Sequence, residues 1–186
     1  MTAKRAQIKK KMTADEFARV AGSARAELMY GRMVEMAPAS YQHGKYVARL
    51  THFLGQFVYP QNLGELVGAE TGFIINAEDN VRAPDVAFIS AERLSRMAEP
   101  EGYLVGAPDL AVEVVSKYDT ARMVREKVNE WLAAGTRLVW VVDPKKKTVT
   151  VHDGVSNVVS ILSVDDTLGG GLVLPGFACP IAKLFQ

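Results

Sequence analysis

The stretch LAVEVVSKYDTARMVREKVNEWLAAGTRLVWVVD, residues 110–143, decides the fold. Leu110 to Ser116 is an apolar run of strand length, and about Thr120 to Ala134 carries its apolar residues at helical spacing. Gly135 stops that helix, and Arg137 to Asp143 is a second apolar strand closed by Asp143-Pro144. Strand, helix and strand in this order form a crossover unit, with parallel pairing and a right-handed connection. Strands apolar on both faces are covered on both sides, as in the middle of an α/β sheet. Two carboxylates break this pattern. Glu113 stands inside the first strand, and Asp85 stands in Arg82-Ala-Pro-Asp85-Val-Ala-Phe-Ile89, which reads as another buried strand. An ionised carboxylate there is costly unless a cation, a proton or a strong donor compensates it.

Outward from this unit, Thr13-Ala-Asp-Glu16 has the form of a capping box and predicts a helix to about Ala21. Glu27 to Met36 reads as a hairpin turning at Tyr30-Gly31. Pro38-Ala-Ser40 introduces a helix to about Tyr59, with Val47, Leu50, Leu54, Phe57 and Val58 toward the core. Strands follow near 63–69, 71–76 and 81–90, with one short helix after Ser90 and a loop marked by Pro100, Gly102, Gly106 and Pro108. Thr148 to His152 and Asn157 to Leu162 form a hairpin about Asp153-Gly154. Gly169, Gly170 and Gly171 read as a flexible turn, since no Lys-Ser/Thr and helix follow to make a phosphate loop. The expected architecture is one α/β domain over residues 13–186: a mixed β-sheet flanked by helices, with an N-terminal helix and hairpin and a C-terminal β-hairpin.

With 186 residues, 48% of them hydrophobic and 23% charged, the composition is that of a globular chain. The net charge of +1 does not advertise a nucleic-acid partner by bulk electrostatics, and a local basic patch can still serve one. A single cysteine, Cys179, excludes an internal disulfide and a cysteine-rich zinc site. Residues 1–12 are basic and are expected to form a frayed, solvated arm. No apolar run follows them and none elsewhere is long enough to span a membrane, so a cytoplasmic location is expected.

Strand parity places Ala111, Glu113 and Val115 on one face. In the next helix Val124, Val128 and Trp131 define the buried stripe, and Lys127 lies on its flank, whereas Arg122, Arg125, Glu126, Asn129 and Glu130 lie away from it. Glu113 is about 10–13 Å from its strand end and Lys127 about 12 Å from its helix start, so the lysine should arrive level with the glutamate. A second acid, Asp85, on a neighbouring strand would repel Glu113 unless a divalent cation neutralised both. Oxygen ligands without cysteine favour Mg²⁺, with Mn²⁺ able to substitute, over zinc.

The segments Arg82-Ala-Pro84-Asp85-Val-Ala-Phe and Pro108-Asp-Leu-Ala-Val-Glu113-Val-Val-Ser116, then Lys127, Ala134-Gly135 and Trp140-Val-Val-Asp143-Pro, resemble the Uma family of endonucleases in the PD-(D/E)XK nuclease superfamily. Glu27, Gly31, Pro38 and His43 fit its N-terminal pattern, and the resemblance covers about residues 13–185. It implies a restriction-endonuclease-like fold and Mg²⁺-dependent hydrolysis of DNA phosphodiesters. It also implies catalytic roles for Asp85, Glu113 and Lys127, with Asp85, Glu113 and the Val114 carbonyl as metal ligands. Val115 stands where the superfamily signature has lysine, and Lys127 substitutes for it in the Uma-like pattern.

His43 and Glu27 are additional candidates: His43 as a site residue or a hydrogen-bonded core histidine, Glu27 as part of the metal shell or an exposed strand-end acid. Arg82 has two open readings, pairing with Asp85 or contact with phosphate. Glu70 and Asp109 read as edge or loop acids, and Lys145 to Lys147 as a solvated turn. Cutting both strands of DNA would suit a homodimer. The alternative reading is a catalytically inactive module of the same fold, acting in nucleic-acid binding or assembly. A third is a hydrolase of some small phosphate ester, since fold does not fix substrate.

Overall fold

The computed structural model describes residues 11–22, 24–75, 79–96 and 102–186. Helix α1 (Ala14–Ala21) opens on the expected capping box, Thr13 with Glu16. Strands β1 (Ala26–Met29) and β2 (Arg32–Glu35) form the expected hairpin. Its turn residues Tyr30 (φ 51°) and Gly31 (φ 78°) are both left-handed, as a tight two-residue hairpin turn requires. Residues 1–10 of the proposed basic arm lie outside the described residues. Lys11 pairs with Asp79, and the Met12 N–H donates to the Gly31 carbonyl, so the arm's end is tied to this turn.

Helix α2 (Tyr41–Val58) starts at Ser40, whose hydroxyl accepts from the His43 N–H. It buries His43, Tyr46, Leu50, Leu54 and Val58. Val47 and Phe57 sit at the edge of this stripe, partly buried. There follow β3 (Gly64–Gly68), β4 (Phe73–Ile74), β5 (Val81–Arg82), β6 (Val86–Ser90), the short α3 (Ala91–Leu94) and β7 (Leu104–Val105). Then come β8 (Leu110–Val114), α4 (Ala121–Ala133) and β9 (Leu138–Asp143), with β8 and β9 parallel as the crossover reading requires. The hairpin β10 (Thr148–Asp153) and β11 (Val158–Leu162) extends the sheet, and β12 (Thr167–Gly170), β13 (Leu174–Pro180) and α5 (Ile181–Leu184) close the chain.

The expected strand 81–90 is two strands in two sheets, parted at Ala83-Pro84-Asp85. Strand β5 joins the sheet β2-β1-β5-β4-β7, and β6 joins the sheet β11-β10-β9-β8-β6-β3. Proline has no N–H to donate to a ladder, so the chain changes sheets there. Gly169 and Gly170 belong to β12 rather than to a flexible turn; a Cβ on Gly170 would lie 2.4 Å from the Leu174 carbonyl oxygen.

The larger sheet is covered on both faces. Against one pack α2, β13 and α5, through Leu50, Leu54, Phe88, Leu110, Val112, Trp140, Phe177 and Leu184. Against the other lies α4, where Val128 and Trp131 meet Ala87, Ala111, Val139 and Val141. Phe73 of the sheet β2-β1-β5-β4-β7 meets the same Trp131, its ring edge-on at 6.0 Å. Helix α4 therefore touches both sheets along one broad buried side, while Arg122, Arg125, Glu126 and Asn129 opposite remain exposed. That position governs the site.

Candidate active site

The break between β5 and β6 delivers Asp85 to the β8 edge. Its backbone N–H donates to the Val112 carbonyl (3.0 Å), and its Oδ2 accepts from the Val114 N–H (2.7 Å). The same Oδ2 meets His43 Nε2 at 3.1 Å. The Asp85 hydrogen bond raises the His43 imidazole pKa against the opposing effect of burial, which favours Nε2–H as the donor. Both side-chain bonds fall on Oδ2. Oδ1 has no hydrogen-bond partner among the described residues and belongs to a side chain lining a cavity of ≈ 590 Å³. Because alternate residues of β8 turn their peptide groups to opposite edges, Val114 shares its edge with Val112, facing Asp85, while the Val115 N–H donates to β9 at Val142.

Glu113 is 6% exposed and points to the α4 side, as strand parity predicts. Lys127 arrives level with it: Nζ donates to Oε2 at 2.9 Å. The expected reach across the crossover is thus met. On the next turn of α4 the Trp131 indole N–H donates to Oε1 at 2.8 Å, so each carboxylate oxygen has its own donor. Burial pushes the Glu113 carboxyl pKa up, and the neighbouring Asp85 charge adds to that, while Lys127 and the indole oppose it. Glu113 in turn raises the Lys127 pKa, so the ammonium stays charged despite its burial.

A second buried network adjoins the first. Arg82 is 3% exposed and lies between two acids. Its guanidinium donates to Glu27 Oε2 at 2.7 Å and, through Nε, to Glu130 Oε2 at 2.6 Å. The Tyr30 hydroxyl donates to Glu130 Oε1 at 2.8 Å, and the Ala83 N–H donates to Glu27 Oε1 at 3.3 Å. Four expectations change here. Arg82 pairs with Glu27 and Glu130 rather than with Asp85, and its donors are engaged by those carboxylates. Glu27 is buried, not an exposed strand-end acid. Glu130 lies inside, not away from the buried face, because the hairpin covers the flank of α4 that periodicity assigned to solvent. Asp109, taken for a loop acid, is buried and accepts from the Ser90 N–H and from Arg93. Glu70 remains at the surface, paired with Arg25, and Lys145 to Lys147 form an exposed turn capped by Asp143.

By sequence alone Trp131 belongs only to the apolar stripe. Two signals pointed further: it stands four residues from Lys127 on one helix face, and a buried indole N–H usually finds an acceptor.

Among the described residues no three or more His, Cys, Asp or Glu side chains gather as a cation cage. The donors that fit a divalent ion are fewer and all oxygen: the Asp85 carboxylate with its open Oδ1, the Glu113 carboxylate, and the Val114 carbonyl on the edge between them. Asp85 and Glu113 line the same cavity with Lys127, His43, Glu27 and Arg82. Two buried acids and one backbone oxygen suit Mg²⁺ or Mn²⁺, ions that keep several coordination positions for water or phosphate.

The mixed sheet thus carries an acid at a strand entry, Asp85, a second acid inside the neighbouring strand, Glu113, and a helix lysine paired with the second. Residues 14–182 match the Uma2 family, described as "Putative restriction endonuclease", and the chain belongs to that family. It is also similar to a crystal structure described as "a putative nuclease belonging to DUF820" from Anabaena variabilis. The TM-score is 0.79 at 20% identity, covering 94% of this chain and 97% of that one, a likeness of fold. Comparison with curated proteins gave no match. Among the described residues no helix is long and apolar enough to cross a membrane.

Proposed function

We propose that this chain is a Mg²⁺-dependent endonuclease that hydrolyses phosphodiester bonds in DNA. The observation that carries this reading is the Lys127–Glu113 contact of 2.9 Å inside a cavity that Asp85 also lines. It supplies, from a helix, the cation that Val115 cannot supply from the strand.

Asp85, Glu113 and the Val114 carbonyl would hold the metal, which when bound supplies an acidified water and charge stabilisation at the phosphate. Lys127, kept protonated by Glu113, presents N–H donors to a phosphate oxygen or to the attacking water. His43 and the Val114 N–H both engage Asp85 Oδ2, which leaves Oδ1 as the oxygen to meet a cation. Glu27 and Arg82 brace the wall beside Lys127 rather than meeting substrate. Lys117 and Arg25 also line the cavity and would supply positive charge to a phosphate backbone that entered it. A homodimer would bring one such site to each strand.

Plasmid nicking in Mg²⁺, with and without EDTA, tests the reading together with calorimetry of Mn²⁺ binding. Asp85→Ala should lower cleavage by about 10³-fold, the scale of removing a transition-state stabiliser, and abolish saturable Mn²⁺ binding. Wild-type protein that binds Mn²⁺ and DNA without nicking would instead be a noncatalytic nucleic-acid-binding module. Faster turnover of a small aryl phosphate than of plasmid would replace DNA as the substrate.

A further inference from the structure

Glu113 is gripped from α4 by two donors that differ in kind. Lys127 has a long flexible stem and three rotatable N–H groups, and a quarter of its side chain is exposed. Left to that partner alone, the carboxylate could turn about its last torsion and the ammonium would follow. Trp131 cannot follow. It is 1% exposed, wedged edge-on against Phe73 and packed among Ala87, Ala111, Val128 and Val139, and its single N–H points along a fixed line at Oε1.

We infer that Trp131 is a positioning residue for the candidate active site: its indole N–H fixes the plane of the Glu113 carboxylate, which assigns Oε2 to Lys127 and sets the direction in which Glu113 meets a cation. The inference rests on the proposed metal-dependent reading for its consequence, and on the indole–carboxylate geometry for its substance. Residues that orient a ligating carboxylate commonly change metal affinity about 10–100-fold when removed.

The chain has two tryptophans, and the other offers a matched control. Trp140 is equally buried, but its Nε1 has no hydrogen-bond partner among the described residues. Replacing it with Phe removes an indole of the same size without removing a bond. Trp131→Phe should weaken Mn²⁺ binding by calorimetry about 10–100-fold, and lower kcat for plasmid nicking with little change in KM. Trp140→Phe should leave the Mn²⁺ affinity within twofold of wild type. Trp131→Phe that binds Mn²⁺ as tightly as wild type overturns the inference.

A second measurement stands whether or not Trp131→Phe folds. The Trp140→Phe protein contains one indole, so its ¹⁵N-labelled spectrum shows one indole N–H signal without further assignment. That signal should move when Glu113→Gln is added, and should titrate with Mg²⁺. A signal indifferent to Glu113→Gln overturns the inference. A signal that responds to Glu113→Gln while wild-type protein binds no divalent ion supports the positioning bond and overturns the metal-dependent reading instead.

Discussion

Lys127→Met should lower DNA cleavage by about 10²–10⁴-fold, the range for removing a positioned proton donor, while DNA binding changes little. Methionine keeps most of the aliphatic stem and its packing, so the change isolates the ammonium. The same substitution should destabilise the fold, because it leaves Glu113, 6% exposed, without its counter-ion. Breaking a buried pair from one side costs about 3–5 kcal/mol. The Trp131 donor stays and limits the loss, so the lower end of that range is expected. Activity and stability then separate in the double variant. Lys127→Met with Glu113→Gln removes both charges, and a glutamine oxygen can still accept from the indole. Its Tm should return most of the way to wild type while nicking remains abolished. Thermal unfolding in EDTA and plasmid nicking in Mg²⁺ check the two halves. Cleavage by Lys127→Met within tenfold of wild type would remove this lysine from the chemistry.

The Glu113–Lys127 contact was legible in the sequence because it lies within one crossover unit. Strand parity gives the direction of Glu113, helical spacing gives the flank of Lys127, and the rise per residue of each element brings the two level. Such reasoning needs only local periodicity. It failed where contacts cross between units. Glu130 lies off the apolar stripe and so reads as solvated, but Tyr30 of the hairpin and Arg82 widen the buried side of α4 to include it. Its partners Arg82 and Tyr30 are 48 and 100 residues away in sequence. The switch of sheets at Pro84 was hidden for a related reason. Apolar residues stand on both sides of the break, at Val81 and at Val86 to Ile89, and carry no record of which neighbour each half pairs with. Asp85 does stand at the start of the apolar strand beside Glu113, but the residues before it, Val81 and Arg82, belong to a strand of the other sheet. The terminal hairpin of β12 and β13 was obscured by its glycines, which there permit a close approach of backbones instead of marking a loose turn.

Arg82→Met should be the most destabilising single change at this site that spares the proposed chemistry. Arg82 is 3% exposed, and its guanidinium spans two buried carboxylates that come from a hairpin strand and a helix. Without it, Glu27 and Glu130 face each other with hydrogen bonds from Ala83 and Tyr30 but no cation. A loss of about 3–5 kcal/mol is expected. For a chain of this size each kcal/mol moves Tm by about 2–4 °C, so a fall on the order of 10 °C should be read by thermal unfolding. Lysine would not restore it, since a point charge cannot serve two acids on opposite sides as a planar fork does. Adding Glu27→Gln and Glu130→Gln to Arg82→Met should recover more than half of the loss, because a fully neutral network has no uncompensated charge to bury. Below its Tm, Arg82→Met should still nick DNA, since Asp85, Glu113 and Lys127 keep their own partners. A Tm within 2 °C of wild type would show that water reaches the two acids and replaces the arginine. Nicking lost at full stability would instead put Arg82 on the substrate, the phosphate contact that its buried clamp argues against.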